Sequence, residues 1–104
     1  MERIAFKMKL KDNQKDIYKK RHDDLWPELK SLLEASGISE YSIFLDKETN
    51  TLFAFQKVTG GNSSQDLANN IIVKKWWDYM ADIMVVNPDN SPVSIPLEEV
   101  FYLK

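Results

Sequence analysis

What most limits the fold of this chain is the order in which its hydrophobic spacing changes. From Ile4 the residues alternate, with Ile4, Phe6, Met8 and Leu10 on one side and Arg3, Ala5, Lys7 and Lys9 on the other, the period-two pattern of a half-buried strand. Lys11-Asp12-Asn13 supplies turn and capping residues, and from about Gln14 the period lengthens, so that Tyr18, His22, Leu25, Leu29, Leu32 and Leu33 recur at helical spacing. Pro27 interrupts this helix: it has no N–H to donate and it crowds the carbonyl of Asp23, so a kink or a break is expected between Asp23 and Trp26. Gly37 then ends the helix in a left-handed cap. Ile38 to Leu45, with Tyr41, Ile43 and Leu45 on one face, and Thr51 to Val58 read as a β-hairpin around the polar turn Asp46-Lys47-Glu48-Thr49-Asn50. The stretch Thr59-Gly60-Gly61-Asn62-Ser63-Ser64 reads as a flexible loop ending in a cap. After it, Ile72, Val73, Trp76, Trp77, Met80 and Met84 mark a second amphipathic helix. Asn87-Pro88-Asp89-Asn90-Ser91-Pro92 stops that helix, and Leu97 to Leu103 alternates as a last strand.

The succession is β-α-β-β-α-β, the ferredoxin-like α+β unit: a four-stranded antiparallel sheet with both helices on one face. Its 104 residues fit one domain, and 43% hydrophobic with 12% aromatic residues suffices for a core. The other sheet face stays uncovered, yet Phe44 stands beside Leu45, and Phe53 and Phe55 beside Leu52 and Ala54. A monomer would expose these as a large apolar patch, which soluble proteins seldom tolerate. A homodimer packing sheet against sheet, a dimeric α+β barrel, removes the patch.

Composition narrows the chemistry. A formal net charge of −2 lacks the broad basic surface that captures phosphate backbones, so nucleic-acid binding is disfavoured. With no cysteine and one histidine, disulfides, thiolate metal sites and a histidine-rich metal cage within one chain are excluded, and chemistry without a cofactor is expected. The start Met1-Glu2-Arg3-Ile4-Ala5 lacks the pattern of a signal peptide, and no run of about 18 uncharged apolar residues suggests a membrane span, so a cytoplasmic location is expected. Phosphate-cradling glycine loops, nucleophile elbows and metalloprotease helices are not found: Gly60-Gly61 lacks the further glycine or lysine a phosphate loop requires.

His22 is the candidate catalyst, because only its unperturbed pKa, about 6.5, lets a side chain here give and take a proton near neutrality. Tyr18 lies four residues earlier on the same helical face, and Arg21, Trp26 and Glu28 are near in sequence, as a polar cluster would require. Spacing alone still favours a surface role for a lone histidine beside Lys19, Lys20 and Arg21, a run that reads most simply as a solvated helix face. Trp76 and Trp77, adjacent on a helix, point about 100° apart, so at least one should border a surface or cleft; filling core and dimer interface is the commoner fate of such pairs. Together with Tyr18 and Tyr41 they also offer what a sugar site needs, flat apolar faces for C–H groups and hydroxyls for hydroxyls. The loop Asp89-Asn90-Ser91-Pro92 is polar enough to serve a ligand, but an Asx-type turn explains it more simply.

The segment Tyr18-Lys19-Lys20-Arg21-His22-Asp23-Asp24-Leu25-Trp26-Pro27-Glu28-Leu29, the strand Tyr41-Ser42-Ile43-Phe44-Leu45-Asp46, the helix Trp76-Trp77-Asp78-Tyr79-Met80, the run Asn87 to Val93 and the ending Val100-Phe101-Tyr102 resemble the L-rhamnose mutarotase family. The resemblance covers nearly the whole chain, and only Thr59 to Ile72 carries no signature. It implies a dimeric α+β barrel that interconverts the α and β anomers of L-rhamnose without metal or organic cofactor. By position it puts the catalytic histidine at His22 and the sugar contacts at Tyr18, Tyr41, Trp76 and Trp77. The implied mechanism has His22, as imidazolium, donate to the ring oxygen while a tyrosine hydroxyl or a held water handles the anomeric proton. Two rival functions remain compatible with such a scaffold. One is cofactor-independent oxygenation or haem breakdown, with His22 as haem ligand; the other is a non-enzymatic sugar-binding or assembly module.

Overall fold

The computed structural model describes residues 2–61 and 63–104, so Met1 of the N-terminal reading and Asn62 of the loop reading lie outside the described residues. In chain order the elements are β1 (Glu2–Lys9), α1 (Lys15–Asp23), α2 (Pro27–Ala35), β2 (Ile38–Asp46), β3 (Thr51–Val58), a short 3-10 turn (Ser64–Asp66), α3 (Ile71–Met80) and β4 (Ile95–Leu97). The four strands form one antiparallel sheet in the order β2-β3-β1-β4, the ferredoxin-like arrangement expected from the succession of periods.

Local sequence explains most boundaries. The long helix is two helices: α1 stops at Asp23, Trp26 is extended (φ −60, ψ 130), and Pro27 opens α2 at a first-turn position, where its missing N–H costs nothing. Gly37 adopts φ 85 just past α2, and a Cβ there would collide with the Thr59 hydroxyl, so glycine is required twice over. Its carbonyl accepts the Thr59 N–H at 3.0 Å, tying the end of α2 to the end of β3. Helix α3 is capped by Asn70, whose side chain accepts the Ile72 N–H at 2.9 Å.

The core lies on one face of the sheet. Phe6 and Met8 of β1 and Leu52 and Ala54 of β3 are buried there against Leu29 of α2 and Val73, Trp76, Trp77 and Met80 of α3, each large apolar side chain contributing about 1.5–3 kcal/mol. On the opposite face Phe44 and Phe53 are cross-strand partners and both exposed, Phe44 by 69%. Ile95 and Leu97 of β4 are exposed as well.

Two expectations are corrected. The last strand is Ile95–Leu97, not Leu97 to Leu103. With Leu97 opposite Ala5, Glu99 comes level with Arg3 and Val100 with Glu2, so a strand running on to Leu103 would overrun the start of β1. Arg3 instead grips Glu99 through two hydrogen bonds, at 2.7 and 3.0 Å, and its guanidinium lies 3.3 Å from the centre of the Tyr102 ring. The second correction concerns Met84, expected on the second helix. It lies beyond the end of α3, buried and bridged to Leu10, where the chain returns to the sheet.

Candidate active site

The two walls of the site are made differently, and the helical wall is the simpler. His22 sits in the last turn of α1, half-buried, with Nδ1 3.0 Å from the backbone carbonyl of Tyr18. A carbonyl only accepts, so Nδ1 carries a proton, and in the neutral ring Nε2 is left with its lone pair. Among the described residues no hydrogen bond occupies Nε2, and it is not a sealed, unpartnered atom. The Tyr18 ring stacks at 4.3 Å and 30° on one side of the imidazole, and Trp76 meets it edge-on at 5.4 Å and 88°. Burial pulls the His22 pKa below its usual 6.5, against the smaller opposing pull of the Tyr18 carbonyl and Asp23. Burial thus favours the neutral ring over the imidazolium.

The strand wall depends on a bulge. Pairing between β2 and β3 runs Ile38↔Val58 and Ser39↔Lys57, then resumes at Ser42↔Phe55, so Glu40 and Tyr41 together face Gln56. Glu40 takes the extra turn with φ 46, a left-handed conformation that a non-glycine residue adopts at a cost, and its carboxylate pairs with Lys57 at 2.6 Å. The inserted residue reverses the alternation. Ile38 points into the core ahead of the bulge, and Tyr41, Ile43 and Leu45 point to the same side after it, while Ser42 and Phe44 face outward.

Opposite the bulge, Gln56 is fully buried on the core-facing phase of β3. Its Oε1 accepts the Ser64 backbone N–H at 3.1 Å and its Nε2 donates to the Ser64 Oγ at 2.5 Å. Ser64 is held for this by a capping box: Ser63 Oγ accepts from Gln65 N, and Asp66 accepts the Ser63 N–H at 2.8 Å. Burial raises the Tyr41 phenol pKa, and hydrogen bonds from Ser64 and Gln56 work against that rise. The Tyr18 phenol is raised strongly by burial, with the charge of Tyr41 adding to it.

Between these walls lies a cavity of about 720 Å³, within the range of small-molecule sites. It brings together all the residues picked out from sequence, His22, Tyr18, Tyr41, Trp76 and Trp77. Both tryptophans are buried yet border it. The neighbours expected to join His22 do not. Arg21 turns away to Asp82 and the Tyr79 carbonyl at 2.8 Å each, Trp26 packs edge-on to Trp76, and Glu28 is exposed. Lys19 and Lys20 pair with Asp23 and Asp24 one turn on, the solvated face expected of them. Asp89 closes an Asx turn onto the Ser91 N–H at 3.0 Å, and Asn90 beside it reaches the cavity while bonding Asp78. Gln56 and Ser64 were missed in the sequence, though two signals marked them: a polar residue on the buried phase of β3, and the Ser-x-x-Asp spacing of Ser63 and Asp66. Among the described residues no three His, Cys, Asp or Glu side chains are grouped to hold a metal ion, and no helix is long and apolar enough to cross a membrane.

A family model described as L-rhamnose mutarotase matches residues 3–103. Proteins named L-rhamnose mutarotase from Formosa agariphila and Bacteroides thetaiotaomicron are 77% and 66% identical, over 100% and 99% of this chain and the same shares of their own. A crystal structure of an L-rhamnose mutarotase from Formosa agariphila superposes with a TM-score of 0.93 at 74% identity, covering 100% of both chains.

Proposed function

The chain belongs to the L-rhamnose mutarotase family, and from that premise we propose that its cavity interconverts the α and β anomers of L-rhamnose by opening and closing the pyranose ring. The observation that carries the reading is a single imidazole, tied through Nδ1 to the Tyr18 carbonyl, that lines a cavity with Tyr18, Tyr41, Trp76 and Trp77. Nε2 takes the proton of the anomeric hydroxyl, the C1–O5 bond breaks with its electron pair going to O5, and O5 takes a proton from a second group. Rotation about C1–C2 presents the other face of the aldehyde, and the reverse transfers close the ring. Mutarotation is proton traffic that water already performs slowly, so general acid–base catalysis of about 10²–10⁴-fold is what the site must supply. The tryptophan faces hold the C–H side of the sugar and its C6 methyl while the tyrosines orient hydroxyls. No cofactor enters this scheme.

The same reading includes a homodimer and a cytoplasmic location. The outward Phe44, Phe53, Ile95 and Leu97 make an apolar sheet face that a second copy would cover. Sedimentation at micromolar concentration should give a dimer that Phe44→Lys shifts toward monomer; a stable wild-type monomer would count against it. Function is tested by saturation transfer between the anomeric protons of L-rhamnose, with L-fucose for comparison. Catalytic amounts of protein should speed L-rhamnose exchange well above buffer, and exchange at the buffer rate removes the reading.

A further inference from the structure

The loop from Val86 to Pro92 carries a cavity-lining side chain, Asn90, that the proposed chemistry leaves idle. The ends of this loop are bridged, Val86 to Pro92, and its interior is pinned. The Asn87 N–H donates to the Ser91 carbonyl and the Asn90 N–H to the Asn87 carbonyl, both at 2.8 Å, while Asp89 Oδ1 accepts the Ser91 N–H at 3.0 Å. Asn90 takes φ 68, a left-handed turn that asparagine tolerates better than most residues. Turn chemistry accounts for that backbone but not for the course of the side chain. Asn90 Nδ2 donates to Asp78 Oδ1 of α3 at 3.0 Å. A carboxylate only accepts, so this contact belongs to the nitrogen end of the amide, and the oxygen end is left over. Among the described residues no hydrogen bond reaches Asn90 Oδ1.

Between Val73 and Pro92 the cavity is otherwise lined by apolar side chains and by Trp76 and Trp77, whose indoles can only donate. A sugar hydroxyl carries a proton as well as lone pairs, so a wall of donors alone would leave that proton without a partner. Asn90 Oδ1 is the oxygen acceptor this wall otherwise lacks. Its direction of approach also matters. His22 lies against Trp76, whereas Asp78, two residues on, stands about 200° around α3, so Asn90 reaches the cavity from the side of Trp77 rather than of His22. Resting on the mutarotase reading above, we propose that Asn90 is a sugar-binding residue whose Oδ1, aimed by the Asp78 carboxylate, accepts a hydrogen bond from a hydroxyl at C2, C3 or C4 of the pyranose, away from the reacting C1–O5 bond. Reversal of the anomer requires rotation about C1–C2 while the rest of the sugar stays in place, and a contact at C2–C4 supplies that anchorage. Such a hydroxyl neither gains nor loses charge as the ring opens. The contact is therefore as strong in the ground state as in the transition state, and it acts on KM rather than on kcat.

The test is Asn90→Gly, because glycine keeps the left-handed turn and deletes only the amide. In anomer exchange followed across L-rhamnose concentrations, KM should rise about threefold to tenfold with kcat changed less than about twofold, as for one neutral hydrogen bond lost equally from both states. Asp78→Ala, at an exposed position of α3, removes the anchor of the amide and should raise KM about threefold; it carries the test if the melting curve of Asn90→Gly shows a disturbed fold. The contact itself is read with 2-, 3- and 4-deoxy-L-rhamnose. The ratio of wild-type to Asn90→Gly kcat/KM should collapse to less than about twofold on one of the three and persist on the other two. A ratio equal on all three, or a KM that the substitutions leave unmoved, overturns the proposal while leaving the mutarotase reading intact. A wild-type protein that does not speed L-rhamnose exchange overturns that reading itself.

Discussion

The helical and strand walls of the cavity place their polar side chains by opposite means. His22 is held by its own helix: one bond to a carbonyl four residues back, with Tyr18 and Trp76 against the ring. Tyr41 is placed by the bulge at Glu40, which turns it to the core side of β2, and opposite that bulge the buried Gln56 amide is bonded to Ser64 of a capped turn. Local means suffice to fix the ring at His22. Burial raises the Tyr41 phenol pKa, and Ser64 and Gln56 lessen that rise without cancelling it.

Breaking the helical wall should have the largest effect. His22→Gln removes the base and keeps a side chain able to reach the Tyr18 carbonyl, and L-rhamnose exchange should fall by about 10²–10⁴-fold with an unchanged melting curve. Next comes pH on the wild type. Since burial depresses the His22 pKa from 6.5, the active neutral form persists at and above neutrality, and the exchange rate should fall only below pH 6.5, about tenfold per unit well beneath the midpoint. Tyr41→Phe, which takes a cavity-lining hydroxyl from the strand wall, should lower kcat/KM about tenfold and leave the acid limb where it was, since that limb belongs to His22. The smallest effect sharpens the comparison at its hinge. Glu40→Gly removes the left-handed strain but also the Lys57 ion pair, so stability by chemical denaturation should stay within about 1 kcal/mol of wild type; Glu40→Val, β-branched at φ 46, should destabilise by more.

The two walls were also unequally legible. β1, the break before Pro27, the Gly37 cap and the alliance of Tyr18 with His22 follow from spacing within a few residues, and each is present. Alternation along β2 put Tyr41 with Ile43 and Leu45, but nothing local announced that Glu40 would turn left-handed, since the signal for such a bulge is usually glycine or asparagine. Without the bulge, the shared facing of Ile38 and Tyr41 and the place of both beside the buried Gln56–Ser64 pair are invisible. The end of β4 was misread for a related reason. Alternation from Leu97 to Leu103 describes a capacity to pair, whereas the strand stops where β1 runs out and Arg3 takes hold of Glu99. Long-range register is set by partners, and a single strand does not display them.

The central claim is that His22 stands neutral with its proton on Nδ1 and Nε2 open to the sugar. The chain has one histidine, so every imidazole signal in a nitrogen-15 NMR titration of the ring belongs to it. The account predicts the Nδ1–H tautomer above a midpoint that lies below 6.5. An Nε2–H tautomer, or a midpoint above 6.5, would contradict it.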